Sequence, residues 1–159
     1  FVRGDLTNVT IDDTYGDIIT HEKAAYTPSD GWAQGPCDGC HAQPNPNLTF
    51  GGTWHDATHN PEDLDSKAIN LTFKGTAVWV YFILGNNINA ETASDTYLSF
   101  YLDDEYVGQF SHNKTSSPDY DYNVTVYSNT SIPGAQHTLS MESAGNTPAS
   151  LMLFDWAMY

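Results

Sequence analysis

The chain has 159 residues, with 20 Asp and Glu against 5 Lys and Arg, a formal net charge of −15 and a pI near 4.2. Phosphate backbones and anionic membrane surfaces attract clustered cations, and Arg3, Lys23, Lys67, Lys74 and Lys114 are scattered, so nucleic acid and anionic lipid are excluded as partners. Neutral ligands and cations remain, on one domain spanning residues 1–159 with enough length to bury a real core.

In chain order, Val9 to Asp17 opens with a short alternating strand and ends in an acidic turn. Tyr26 to Phe50 is rich in Pro, Gly, Asn, Asp and Ser; it exceeds an ordinary connector, so it is read as functional or ordered by its own contacts. Gly51 to His59 also reads as loop, dense in hydrogen-bonding side chains. Ile69, Leu71 and Phe73 then alternate with Asn70 and Thr72, the period of a half-buried strand. Lys74-Gly75-Thr76 is a turn, and Ala77 to Leu84 an apolar inner strand; the two strands are expected to pair as the central hairpin. Thr96 to Leu102 and Tyr106 to Phe110 form a second hairpin across Asp103-Asp104-Glu105, a solvated turn. Tyr122 to Tyr127, His137 to Glu142 and Ala149 to Tyr159 complete the strands, with His137 ordering the turn after Pro133-Gly134. No segment has a helical period and no apolar run approaches the ~20 residues of a membrane span, so membrane insertion is not expected. The pattern predicts an all-β, antiparallel sandwich.

Six N-x-Ser/Thr sequons stand at Asn8, Asn47, Asn70, Asn113, Asn123 and Asn129. Together with Phe1 in place of an initiating Met, they point to a processed, glycosylated, extracellular chain. The Asn70/Thr72 and Asn123/Thr125 pairs each share a strand face, which meets water if glycans are attached, while Leu71 and Val124 face the other way. Cys37 and Cys40, the only cysteines, are expected to close a small structural disulfide; Pro44 and Pro46 oppose the helix a redox Cys-x-x-Cys would start.

With the strands placed, four segments carry a resemblance: Phe73-Lys-Gly-Thr-Ala-Val-Trp-Val-Tyr81, Leu102-Asp-Asp-Glu-Tyr-Val-Gly108, His137-Thr-Leu139 and Leu153-Phe-Asp-Trp-Ala-Met-Tyr159. The chain resembles the galactose-binding-domain-like jelly rolls, and more narrowly secreted or cell-surface proteins of mushroom-forming fungi on that fold. The likeness extends through Ile11 to Asp17, the cysteine pair and Thr53-Trp-His-Asp56. It implies a jelly roll, with carbohydrate binding and a structural calcium as features of relatives; fold alone does not fix function.

The chemistry converges on Trp32, Trp54, His55, Asp56 and His59. A pyranose stacks its C–H face on an indole while its hydroxyls take fixed polar partners, so these five residues form the expected site for a neutral, cell-wall type of carbohydrate. Beside this stands the structural reading, in which Trp54 plugs the sandwich and His55 and Asp56 tie the loop down. Trp79 and Tyr81 share a strand face and are expected in the core, an open ring platform being the alternative. Asp155 interrupts an apolar strand and needs a partner: Arg3, or a calcium ion held with Asp12, Asp13 and Asp17. An enzymatic alternative uses Asp56 and His55 as a glycoside hydrolase, with Asp30 or Asp38 as second carboxylate, and a His41/His55/His59 metal oxidase is a weaker one. A third reading is a structural or adhesive surface glycoprotein.

Overall fold

A computed structural model describes residues 6–143 and 148–159; Arg3, one partner expected for Asp155, lies outside them. Twelve strands follow in order: β1 (Thr10–Asp12), β2 (Gly16–Asp17), β3 (Ala25–Thr27), β4 (Ala33–Gly35), β5 (Trp54–His59), β6 (Lys67–Gly75), β7 (Val78–Leu84), β8 (Thr96–Leu102), β9 (Glu105–His112), β10 (Asp121–Asn129), β11 (Ala135–Ser143) and β12 (Ser150–Met158). The first sheet runs β10-β7-β12-β1-β2, with β5 taking the other half of the β12 edge and β4 beyond it; the second runs β3-β6-β11-β8-β9. The all-β, antiparallel sandwich is therefore as expected. Among the described residues no helix is long and apolar enough to cross a membrane.

The expected central hairpin is not one. β6 pairs with β3 and β11 in the second sheet, whereas β7 pairs with β10 and β12 in the first. The Lys74 to Thr76 turn thus carries the chain across the sandwich, and the two strands face each other through the core instead of sharing hydrogen bonds. The β8–β9 hairpin does form; Asp103 and Asp104 turn it with φ of 52° and 67°, the pair of left-handed residues that tight hairpins require. The Asp103 carboxylate accepts from His137 Nδ1 (2.7 Å) and the Thr138 amide (2.9 Å), and the His137 Nε2 lies 2.7 Å from the Pro133 carbonyl. His137 therefore orders the Pro133-Gly134 turn, and the acidic hairpin tip is anchored by it.

Between the sheets lies a core of Ile69, Leu71, Val80, Phe82, Phe100, Leu139 and Phe154 among others. Leu71 is buried while Asn70 and Thr72 are half-buried, and Val124 is half-buried against the core where Asn123 and Thr125 are exposed. A second apolar cluster covers the outer face of the first sheet: Ala42, Trp54, Ile83, Leu151 and Leu153. It exists because the Pro-rich segment between β4 and β5 folds back over that face. The Cys37–Cys40 disulfide (Cα–Cα 5.6 Å) closes a tight loop in it. Gln43 and Asn45 are held by Tyr120, just before β10, and Tyr122 within it, their amides donating to the two hydroxyls at 2.7 Å each.

Candidate functional site

Residues 54–59 are a strand, not a loop, and period 2 decides what each side chain does. Cross-strand pairs share a face: Asp56 lies opposite Leu153 and Thr58 opposite Leu151, both in the outer cluster, while His55 lies opposite Phe154 of the inner core. Trp54, Asp56 and Thr58 therefore look outward, and His55, Ala57 and His59 look inward.

Trp54 does not meet solvent at all: its exposure is 0%. It fills the outer cluster above Gly35, where a Cβ would overlap the indole ring, so it plugs the sandwich and does not stack on a sugar as expected. His59 is 1% exposed on the opposite face, with neither ring nitrogen hydrogen-bonded among the described residues; it too is out of a ligand's reach. His55 stacks on Tyr26 of β3 (centroids 4.0 Å, 10° between planes) and sets Nδ1 2.7 Å from Asp13 Oδ2. It locks β5 to the acidic turn after β1, and it points away from Asp56. An Asp56/His55 catalytic couple is thus ruled out by strand geometry, as is a metal site shared by His41, His55 and His59.

Trp32 and Asp56 do come together. An outward-facing cleft of about 500 Å³ has Asp56, Thr58 and Leu151 on its floor, with Asp30 to Ala33 on one side and Cys40 to Ala42 and Glu91 to Ala93 on the others. Trp32 is half-buried, its Nε1 donating to the Thr27 carbonyl at 3.1 Å and its ring packed near Tyr26. Burial pushes the Asp56 carboxyl up to about 6, with the nearby His41 pulling weakly the other way and no hydrogen bond contributing. Asp56 is thus a half-buried carboxylate that opens on the cleft with no hydrogen-bond donor among the described residues. Asp30, Asp56 and Glu91 line the cleft with His41, and the Lys67 ammonium lies against Gly31 on its wall, so carboxylates outnumber the bases around it. Asp38, the other carboxylate considered as a partner, does not line it. The signal for this cleft lay in Trp32 and Asp56, but His41, Asn60 and Glu91 come from separate loops whose meeting no spacing reveals.

The acidic cluster at the other end is committed to protein. Asp12 Oδ1 accepts from the amides of Thr14 and Tyr15, Asp13 from the hydroxyls of Thr53 and Thr14, and Asp155 Oδ1 from the Phe50 amide at 2.9 Å. Asp17 takes the Tyr159 hydroxyl at 2.6 Å. Among the described residues no three His, Cys, Asp or Glu side chains are placed to hold a metal ion. The donor set does not fit the expected calcium. Asp155 is held instead by one amide, and burial, with Asp12 and Asp13 nearby, pushes its carboxyl up to about 7.

Trp79 and Tyr81 are half-buried on the outer face of β7, not in the core, which takes Val78, Val80 and Phe82. Tyr81 stacks on Trp156 (4.2 Å, 10°), and Trp156 stacks in turn on Phe50 (4.7 Å, 13°). Both faces of Trp156 and one of Tyr81 are consumed in this pile. It offers ring edges, not the flat platform considered above.

No family model matches the chain, and no curated protein matches it in sequence. Solved structures do match in shape. A family 35 carbohydrate-binding module from Clostridium thermocellum superposes with a TM-score of 0.54 at 7% identity, covering 97% of this chain and 98% of the module. The two share one fold. The Agl-KA catalytic domain superposes at 0.53 with 11% identity, and a Paenibacillus cycloisomaltooligosaccharide glucanotransferase at 0.49 with 12%. The chain spans only 27% and 15% of those two proteins, whereas it matches the module end to end. At these identities the likeness to the module and to the Agl-KA domain concerns fold alone.

Proposed function

We propose that the protein is an extracellular carbohydrate-binding module, a glycoprotein whose cleft takes neutral, cell-wall type glycans between Trp32 and Asp56. The observation that carries this reading is the Asp56 carboxylate, without a hydrogen-bond donor among the described residues and open to a cleft with a half-buried indole on its wall. The indole supplies a stacking edge for a pyranose, and Asp56, Thr58 and Asn60 supply the polar partners for its hydroxyls. The fold shared with a carbohydrate-binding module and the disulfide support the reading and its extracellular setting. Asp30 and Glu91 on the same cleft turn away uronic acids.

A glycan array followed by calorimetry tests it. Trp32→Ala and Asp56→Asn are each expected to weaken binding by about tenfold or more, roughly 1.4 kcal/mol, with both variants folded. Affinity should also fall as the pH drops below about 6, where Asp56 gains its proton and the charged acceptor is lost. Native protein that binds no glycan, or folded variants that bind as well as native, would end this reading.

The raised Asp56 carboxyl favours one second reading, a glycoside hydrolase in which Asp56 is the general acid and Asp30 or Glu91 the other carboxylate. Reducing sugar released from cell-wall polysaccharide by native protein, and abolished in an Asp56→Asn variant that still binds, selects it over binding alone.

A further inference from the structure

Four of the six sequon asparagines, Asn8, Asn47, Asn113 and Asn123, are exposed, and Asn70 and Asn129 are half-buried. Asn123 differs from the rest in its surroundings. It sits at a bulge of β10, where the register against β7 shifts between Asp121 and Val124, in a left-handed conformation (φ 55°). Its Oδ1 accepts from Trp156 Nε1 at 3.0 Å, and its Nδ2 has no partner among the described residues. Trp156 is the middle ring of the Phe50–Trp156–Tyr81 pile, half-buried, with both faces covered and its rim toward solvent. The outer face at this edge is therefore an apolar rim with one modifiable amide beside it.

We infer that Asn123 carries an N-glycan whose first sugar packs on the rim of this aromatic pile and serves as its lid. A polyprenyl-pyrophosphate-linked oligosaccharide is the donor: the bond from sugar C1 to Asn123 Nδ2 forms, the C1–O bond to pyrophosphate breaks, Nδ2 gives up one proton, and the lipid pyrophosphate leaves. Nδ2 keeps its other hydrogen and Oδ1 is untouched, so the bond from Trp156 survives modification. The apolar face of the attached pyranose removes ring edges from water. Because the order is β10-β7-β12 with β5 and β4 beyond, the lid sits at the opposite edge of the sheet from the Trp32/Asp56 cleft and leaves it open. This inference stands whether or not the cleft binds sugar.

The test uses Thr125→Ala, which destroys the sequon while keeping Asn123 and its bond to Trp156; Thr125 is exposed. Protein from an N-glycosylating host is mapped by peptide-N-glycosidase release in heavy-oxygen water, and melting temperatures are compared with protein from a host without the pathway. Asn123 is expected to be occupied, and Thr125→Ala to lower Tm by about 3 °C or more in the glycosylating host only. Trimming every glycan to its first sugar should leave that difference intact, and Asn47→Gln should have no comparable effect. An unoccupied Asn123, an equal change in both hosts, or a difference lost on trimming overturns the inference.

Discussion

Gly35→Ala is expected to destabilise the fold by about 3 kcal/mol or more, read as a lower denaturation midpoint. Gly35 lies opposite Trp54 in the β4–β5 pair, and a Cβ there would overlap the indole itself. Trp54 cannot yield, because it is fully buried among Ala42, Ile83, Leu151 and Leu153, and dense interiors do not absorb an added methyl without moving backbone. Trp54→Leu costs on the order of 3 kcal/mol by itself, but it opens the space that the new methyl needs. Adding Gly35→Ala to Trp54→Leu should therefore cost far less than Gly35→Ala alone, a coupling that a double-mutant cycle measures. Independent, additive costs would mean that Trp54 is not seated on Gly35.

The second large effect is on pH. Burial raises the carboxyl of Asp155 to about 7 and that of Asp56 to about 6. A carboxylate raised in the folded state burdens stability above its folded value, and the burden is relieved as the pH falls through that value toward the unfolded one near 3.9. The protein should thus gain on the order of 2 kcal/mol, about 5 °C in Tm, between pH 8 and pH 5. Below about pH 4 the trend reverses. Although burial pushes Asp17 up, the Tyr159 hydroxyl and the Thr20 and Ile19 amides together hold it below the usual carboxylate range. Asp103 is held down chiefly by His137. Both lose their partners' benefit on protonation. Asp155→Asn, which can still accept from the Phe50 amide, should raise Tm at pH 8 and flatten the rise. Millimolar calcium at pH 8 should leave Tm unchanged; a calcium-dependent increase that Asp155→Asn abolishes would overturn this proton-held arrangement and restore the metal.

Much of the fold was legible because period 2 reports faces. Thr96 to Leu102 matches β8, and the strands β9 to β12 fall within a few residues of expectation. Alternation names a face but not a partner, which is why the Ile69 to Leu84 stretch looked like a hairpin and is a crossover between sheets. The unbroken apolar run of β7 had a similar ambiguity. Val78, Val80 and Phe82 meet the inner core, Ile83 is covered by the folded-back segment, and Trp79 and Tyr81 are half-buried outside. Polar neighbours disguise β5 as loop, which is why the sequence leaves Trp54 open between ligand contact and plug. Adjacent His55 and Asp56 looked like a couple in sequence, although any strand sends them to opposite sides. Trp32 and Asp56 were legible as a pair only in chemistry, since their proximity depends on β4 adding to the β5 edge.

Where the sugar sits can be read directly by titrating isotope-labelled protein with the tightest oligosaccharide from the array and following backbone and indole N–H resonances. Binding in the Trp32/Asp56 cleft moves the Trp32 indole and the amides of Asp56 to Thr58 and Glu91 to Ala93, and leaves Trp54 and the Asp103–Glu105 tip in place. Shifts gathered at Trp79, at the hairpin tips, or nowhere at all would contradict it.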